Sequence, residues 1–125
     1  MRLYLRGYKR ATHGWDVREK ELMMKFITKE LEKQFRANAK LPEMEQKVIA
    51  HYFNPYGQGD WYAITYDEET NECFGYVHLH EGEFGYFSLT ELAEVKVPPF
   101  NMGIERDLHF TPCDRANIME IQERQ

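Results

Sequence analysis

The chain changes its hydrophobic period twice. From Asp16 onward apolar residues recur at steps of three and four, at Met24, Ile27, Leu31 and Phe35, which is one stripe of an amphipathic helix. Asp16 followed by Glu19 has capping-box spacing at the start of that stripe, and Pro42 stops it. Thr28 offers a second start, with a break after Ile27 and an end near Ala39, because threonine caps helices well and sits poorly inside them. Both versions bury the same face. From Lys47 the period drops to two. Residues 48–53, 61–66, 73–79 and 84–87 are rich in strand formers, and the turn residues at 54–60, 67–71 and 80–83 separate them by hairpin-length links. An antiparallel meander is the expected result.

Ser88 with Glu91 is a second capping box and predicts a short helix over 89–95. Pro98-Pro99 then excludes both helix and central strand, so the chain to Gly103 is expected as a loop. Residues 104–110 alternate apolar and polar apart from Arg106, which predicts a fifth strand or an extended segment laid along the sheet, with Ile104, Leu108 and Phe110 toward the core and Glu105, Asp107 and His109 away from it. Asp114 is placed to cap a last helix through about Arg124. Residues 1–14 show no sustained period and read as an arm or a loose strand. The expected architecture is α+β, a four- to five-stranded antiparallel meander with helices packed on one face.

Length and composition narrow the class. A chain of 125 residues is near the common size of one domain, and 42% hydrophobic with 30% charged residues is a folding composition. Cys73 and Cys113 are too few for a disulfide framework and form no CxxC pair, so reduced thiols and a cytoplasmic location are the simpler expectation. No apolar run approaches the length of a membrane span. The net charge of −5 is unevenly spread: residues 1–23 hold six Lys/Arg against three Asp/Glu, while residues 24–125 hold ten against eighteen. An acidic body repels phosphate backbones, which argues against direct nucleic-acid binding and favours a basic protein partner.

The six blocks Met24-Lys-Phe-Ile-Thr-Lys-Glu-Leu31, Tyr52-Phe-Asn-Pro-Tyr-Gly57 with Asp60-Trp-Tyr62, Phe74-Gly-Tyr-Val77, Phe84-Gly-Tyr86, Ser88-Leu-Thr-Glu-Leu92 and Ile104-Glu-Arg-Asp-Leu-His-Phe110 together resemble an uncharacterised bacterial family, a domain of unknown function. The resemblance implies carriage on conjugative and integrative elements and phages, beside genes for transfer and for evading restriction. It implies no catalytic or ligand residues. It also implies that the domain is 24–125, with 1–23 as an N-terminal extension. A purine-rich coding run over Arg18-Glu-Lys-Glu21, similar to a ribosome-binding site ahead of Met23-Met24, would fit a start recorded too early.

Four constellations carry candidate chemistry. His78 and His80 share a strand face, and with Glu81, Glu83 or His109 would have metal-ligand spacing, although a solvated pair is the simpler reading and no metal or other cofactor is expected. Arg106, flanked by core positions, needs a carboxylate or carbonyl partner such as Glu83, Glu91 or a neighbour. Asp107 and His109 would otherwise form a base with its orienting carboxylate, serving Ser88 or Thr111 as nucleophile. The loop from Asn54 to Asp60, with two glycines beside Tyr52, Tyr56, Trp61 and Tyr62, is where a nucleotide base would stack, with Arg106 the nearby cation. Phe100 and Met102 sit on the proline loop, as a contact surface or a lid folded onto the core.

The leading functional expectation is a non-enzymatic accessory protein of a mobile element, an anti-CRISPR or anti-restriction factor that binds a host protein through Tyr56, Asp60, Trp61, Tyr62, Phe100, Arg106, Asp107 and His109. The rivals are a module that sequesters a small nucleotide and a metal-dependent hydrolase. A homodimer through an edge strand at 61–66 is a further expectation.

Overall fold

The computed structural model describes residues 17–118. The expected cap at Asp16, the arm at 1–14 and the end of the last helix near Arg124 lie outside the described residues. In the described part, α1 (Val17–Phe26) and α2 (Lys29–Ala39) precede the strands β1 (Ala50–Phe53), β2 (Asp60–Asp67), β3 (Glu72–His78) and β4 (Gly82–Ser88). The helix α3 (Leu89–Glu94) and the short strand β5 (Glu105–Arg106) follow, and residues 115–118 are helical. The five strands form one antiparallel sheet in the order β4-β3-β2-β1-β5. The α+β meander expected from the periods is the fold observed. Residues 61–66 lie within β2, a central strand, so the edge available for pairing is not there; the sheet ends at β4 and β5.

The helical hairpin takes the Thr28 version. Thr28 is extended, and its Oγ1 accepts a hydrogen bond from the Leu31 amide at 3.1 Å, supplying one of the amide partners a helix start lacks. The break resets the helical phase. The buried positions of α1 are therefore Met23 and Phe26, with Ile27 just beyond its end, whereas Met24, expected on the stripe, is exposed. In α2 they are Leu31, Phe35 and Asn38. The helix α1 crosses the boundary drawn between residues 23 and 24. Tyr52, on β1, sets its ring edge-on to Phe26 and donates its hydroxyl proton to the Phe26 carbonyl at 2.7 Å, satisfying an acceptor at the end of α1.

Alternation along the strands divides the sheet into two faces. Ala50, Tyr52, Ala63, Cys73 and Phe87 pack with Met23, Phe26, Ile27, Leu31, Phe35, Leu89 and Leu92, so α1, α2 and α3 share one face. Tyr62, Ile64 and Tyr76 point the other way and pack with Val48 and Ile118, with Phe74, Phe110 and Cys113 against them. A β-bulge between Ala63 and Thr65 shifts the phase of β2, and this brings Tyr66 to the helical face although it shares parity with Tyr62. The bulge leaves the Ile64 carbonyl for Asn38, whose side-chain amide also donates to the Lys47 carbonyl, both at 2.9 Å, while its oxygen accepts from the Lys47 amide. One buried side chain thus ties α2 to the sheet. Opposite the bulge Gly75 allows β2 and β3 to approach, since a Cβ there would overlap the Tyr62 carbonyl.

Ser88 caps α3 by accepting from the Glu91 amide at 3.2 Å. The expected alternation over 104–110 holds only to Arg106. A turn closed by the Phe110 amide on the Asp107 carbonyl follows, so Leu108 is exposed and Phe110 crosses to the second face. Among the described residues no helix is long and apolar enough to cross a membrane.

Candidate functional site

His51 is the centre of a polar cluster on the second face. Adjacent strand residues point to opposite faces, so His51 and Phe53 of β1 share their side with Asp60 and Tyr62 of β2. The His51 ring lies flat on Tyr62, centroids 4.3 Å apart and planes 5° apart. Its Nε2 is 2.8 Å from Asp60 Oδ1, and its Nδ1 is 3.1 Å from Asp107 Oδ2. Asp107 arrives from the far end of the sequence because β5 pairs with β1 and the Asp107 amide then donates to the His51 carbonyl at 2.8 Å. Its other carboxylate oxygen accepts from the His109 amide at 3.0 Å. All three polar side chains are largely but not wholly covered.

The electrostatics follow from this inventory. Burial by itself would raise the Asp107 carboxyl, but the hydrogen bonds from His51 and the His109 amide outweigh it and hold the group below its usual value. A neutral imidazole donates from one nitrogen only, so both contacts are complete hydrogen bonds only when the ring carries two protons. The cluster borders a cleft of about 310 Å³ lined by His51, Phe53, Asn54, Gly57, Gly59, Asp60 and Asp107. Asn54 builds its rim: the Asn54 side chain accepts from the Tyr56 amide and donates to the Gln58 carbonyl, and Gly59 turns with φ of 138°.

The eight candidate residues fall into separate places. Asp60, Tyr62 and Asp107 meet at His51, and His109 adds its backbone amide while its side chain is exposed. Trp61 packs on the helical face, back to back with Tyr62. Arg106 also turns to that face, where its Nε donates to the Lys25 carbonyl at 2.7 Å beside a second cleft of about 370 Å³. The expected tie for this arginine is therefore a carbonyl of α1, not Glu83 or Glu91. Tyr56 stands exposed on the hairpin loop, and Phe100 is exposed on the proline loop, so that ring is not folded onto the core.

Among the described residues, the groups named for the alternative chemistries stand apart as follows. Ser88 is buried, its hydroxyl is used as the α3 cap, and it pairs with Glu72 at the opposite end of β3 from His78. His78 ends β3, and His80 lies in the following bend. Among the described residues no group of three or more His, Cys, Asp or Glu is arranged to hold a metal ion. Asp60 and Asp107 sit at opposite nitrogens of one ring, so they do not converge on a common point. Cys73 and Cys113 are free thiols, each with its acidity weakened by burial.

Fold and site together define a small α+β module whose open sheet presents an aspartate–histidine–aspartate cluster beside a shallow cleft. Residues 22–120 match the family described as Protein of unknown function (DUF2958), and the chain belongs to that family. No curated protein and no solved structure shows a significant match to it.

Proposed function

We propose that this protein acts by contact, as a non-enzymatic accessory of a mobile genetic element that counters a host defence system by binding a basic, nucleic-acid-binding host protein. The observation that carries the reading is the setting of His51: each ring nitrogen faces a carboxylate of the chain itself, so neither is left facing a substrate. The cluster offers carboxylate edges to a neighbour and no activated nucleophile. A guanidinium or ammonium group complements it, and an acidic chain of net charge −5 steers such a partner. The same carboxylates disfavour a nucleotide phosphate at the glycine loop, since Arg106 is turned to the opposite face. The mobile-element setting rests on the resemblance of the six sequence blocks.

The test is affinity capture from a host lysate with the wild-type chain and with an Asp60→Asn/Asp107→Asn double variant, whose fold is checked by circular dichroism. The expected result is a basic protein held by the wild type, released by moderate salt and lost with the double variant. Capture indifferent to both salt and the missing carboxylates would remove the reading.

A further inference from the structure

We propose that two copies of this chain associate through the outer edge of β4, antiparallel and centred on Gly85, to make one continuous sheet. The inference rests on the fold alone and is independent of the partner reading above. Among the described residues no strand pairs with that edge, and β4 is in unbroken register with β3 from Ser88 to Gly82. Protective devices are missing from it: β4 has no proline, no lysine and no bulge, and its only charge is Glu83. An edge that is long, regular and nearly uncharged is a template for another strand.

Symmetry and sequence choose a second copy as that strand. In an antiparallel ladder, alternate residues turn both amide and carbonyl outward. A two-fold axis through a residue therefore matches outward groups with outward groups, whereas an axis between residues does not. The axis through Gly85, the middle residue of Gly82–Ser88, sets the accessible Phe84–Tyr86 stretch of each copy against the other, with the buried Phe87 and Ser88 at the end of the strand. Phe84 then lies opposite the second copy's Tyr86, and Tyr86 opposite its Phe84. This repeats across the axis the ring pairing already present within the sheet, where Phe74 meets Tyr86 and Tyr76 meets Phe84, both at 5.1 Å. Glu83 falls opposite the second copy's Phe87, so no like charges oppose one another. The close packing needed at the axis is available, since a Cβ on Gly85 would meet nothing within 4 Å.

Exposure sets the strength. Tyr86 is 66% and Phe84 39% exposed. With rings of about 200 Å² each, they add roughly 200 Å² per copy, well short of the ~800 Å² per partner of a standard interface. The association is therefore reversible and concentration-dependent.

Sedimentation velocity of the full chain over a concentration series should show a monomer–dimer equilibrium. Tyr86→Lys, on an exposed side chain, removes both symmetric ring pairs and should weaken dimerisation about tenfold or more. In a Cys113→Ser background, Gly85→Cys should form an interchain disulfide on mild oxidation, because directly opposed strand residues lie within disulfide reach. Glu83→Cys should not, since its two copies would be four strand positions apart. A chain that stays monomeric at every concentration would overturn the proposal. So would a Tyr86→Lys variant that dimerises as well as wild type, or Glu83→Cys crosslinking as readily as Gly85→Cys with both variants folded.

Discussion

His51 joins Asp60, across the next hairpin, to Asp107 from the far end of the chain, and its neighbours make the cluster sensitive to acid. The Asp107 carboxyl is held below its usual value, with the opposing effect of burial overcome by the His51 and His109 hydrogen bonds. A depressed acid stabilises the fold fully at pH above its unfolded value, about 4, and that contribution is lost as pH falls through the lower folded value. Urea midpoints should therefore fall as pH drops below about 4. Asp107→Asn should be less stable than wild type at neutral pH and should lose less on acidification. Parallel pH curves for the two proteins would show that Asp107 gains nothing from its partners. Asp60 and Tyr62 were legible as candidates because they close the Asn54–Asp60 loop, whose glycines and neighbouring aromatics suggested a binding surface. His51 was not singled out, although its position two residues before Phe53, which pairs with Asp60, places it on the Asp60 face. Its bond to Asp107 had no local signal, because it depends on β5 pairing with β1 over more than fifty residues.

Secondary structure was legible where a period, a cap and a turn agreed. The strands, α3 with its Ser88 cap, and the Thr28 break all have such local causes. The failures also have causes. Met24 was placed on the stripe by a count that ran through the break, and residues 107–110 alternate in sequence while the backbone turns. Asn38 is the element-scale feature that periodicity hides: a polar residue at a core position of α2, justified only by the carbonyl left by a bulge in β2. Asn38→Ala removes three hydrogen bonds and strands buried backbone groups, at a cost of roughly 2–4 kcal/mol. A urea titration should show a lower midpoint with an unchanged slope. A loss below about 0.5 kcal/mol, the size of an ordinary surface substitution, would mean that water replaces the asparagine at no cost.

At the scale of the molecule, the sheet is covered on one side by α1–α3 and on the other by the chain from Phe110 to Ile118, and one cysteine lies in each layer. Cys73 is fully buried against the helical layer, and burial suppresses its thiolate; Cys113 is half-buried beside the second cluster and is linked to Val48 by a pair of backbone hydrogen bonds. A thiol reagent can reach the first only when the helical layer separates from the sheet, whereas the second needs only a local opening of the chain near Val48. In native buffer Cys113 should therefore react well ahead of Cys73. If the sheet and helices form one cooperative unit, Cys73 labelling should be slowed on the order of ten-thousand-fold relative to the unfolded chain. It should then accelerate in urea along the same curve as loss of circular dichroism. Early labelling of Cys73, before that transition, would show that the α1–α3 layer lifts from the sheet on its own. The sheet, with its edge strands β4 and β5 and its carboxylate cluster, would then have to be treated as the stable unit that meets partners.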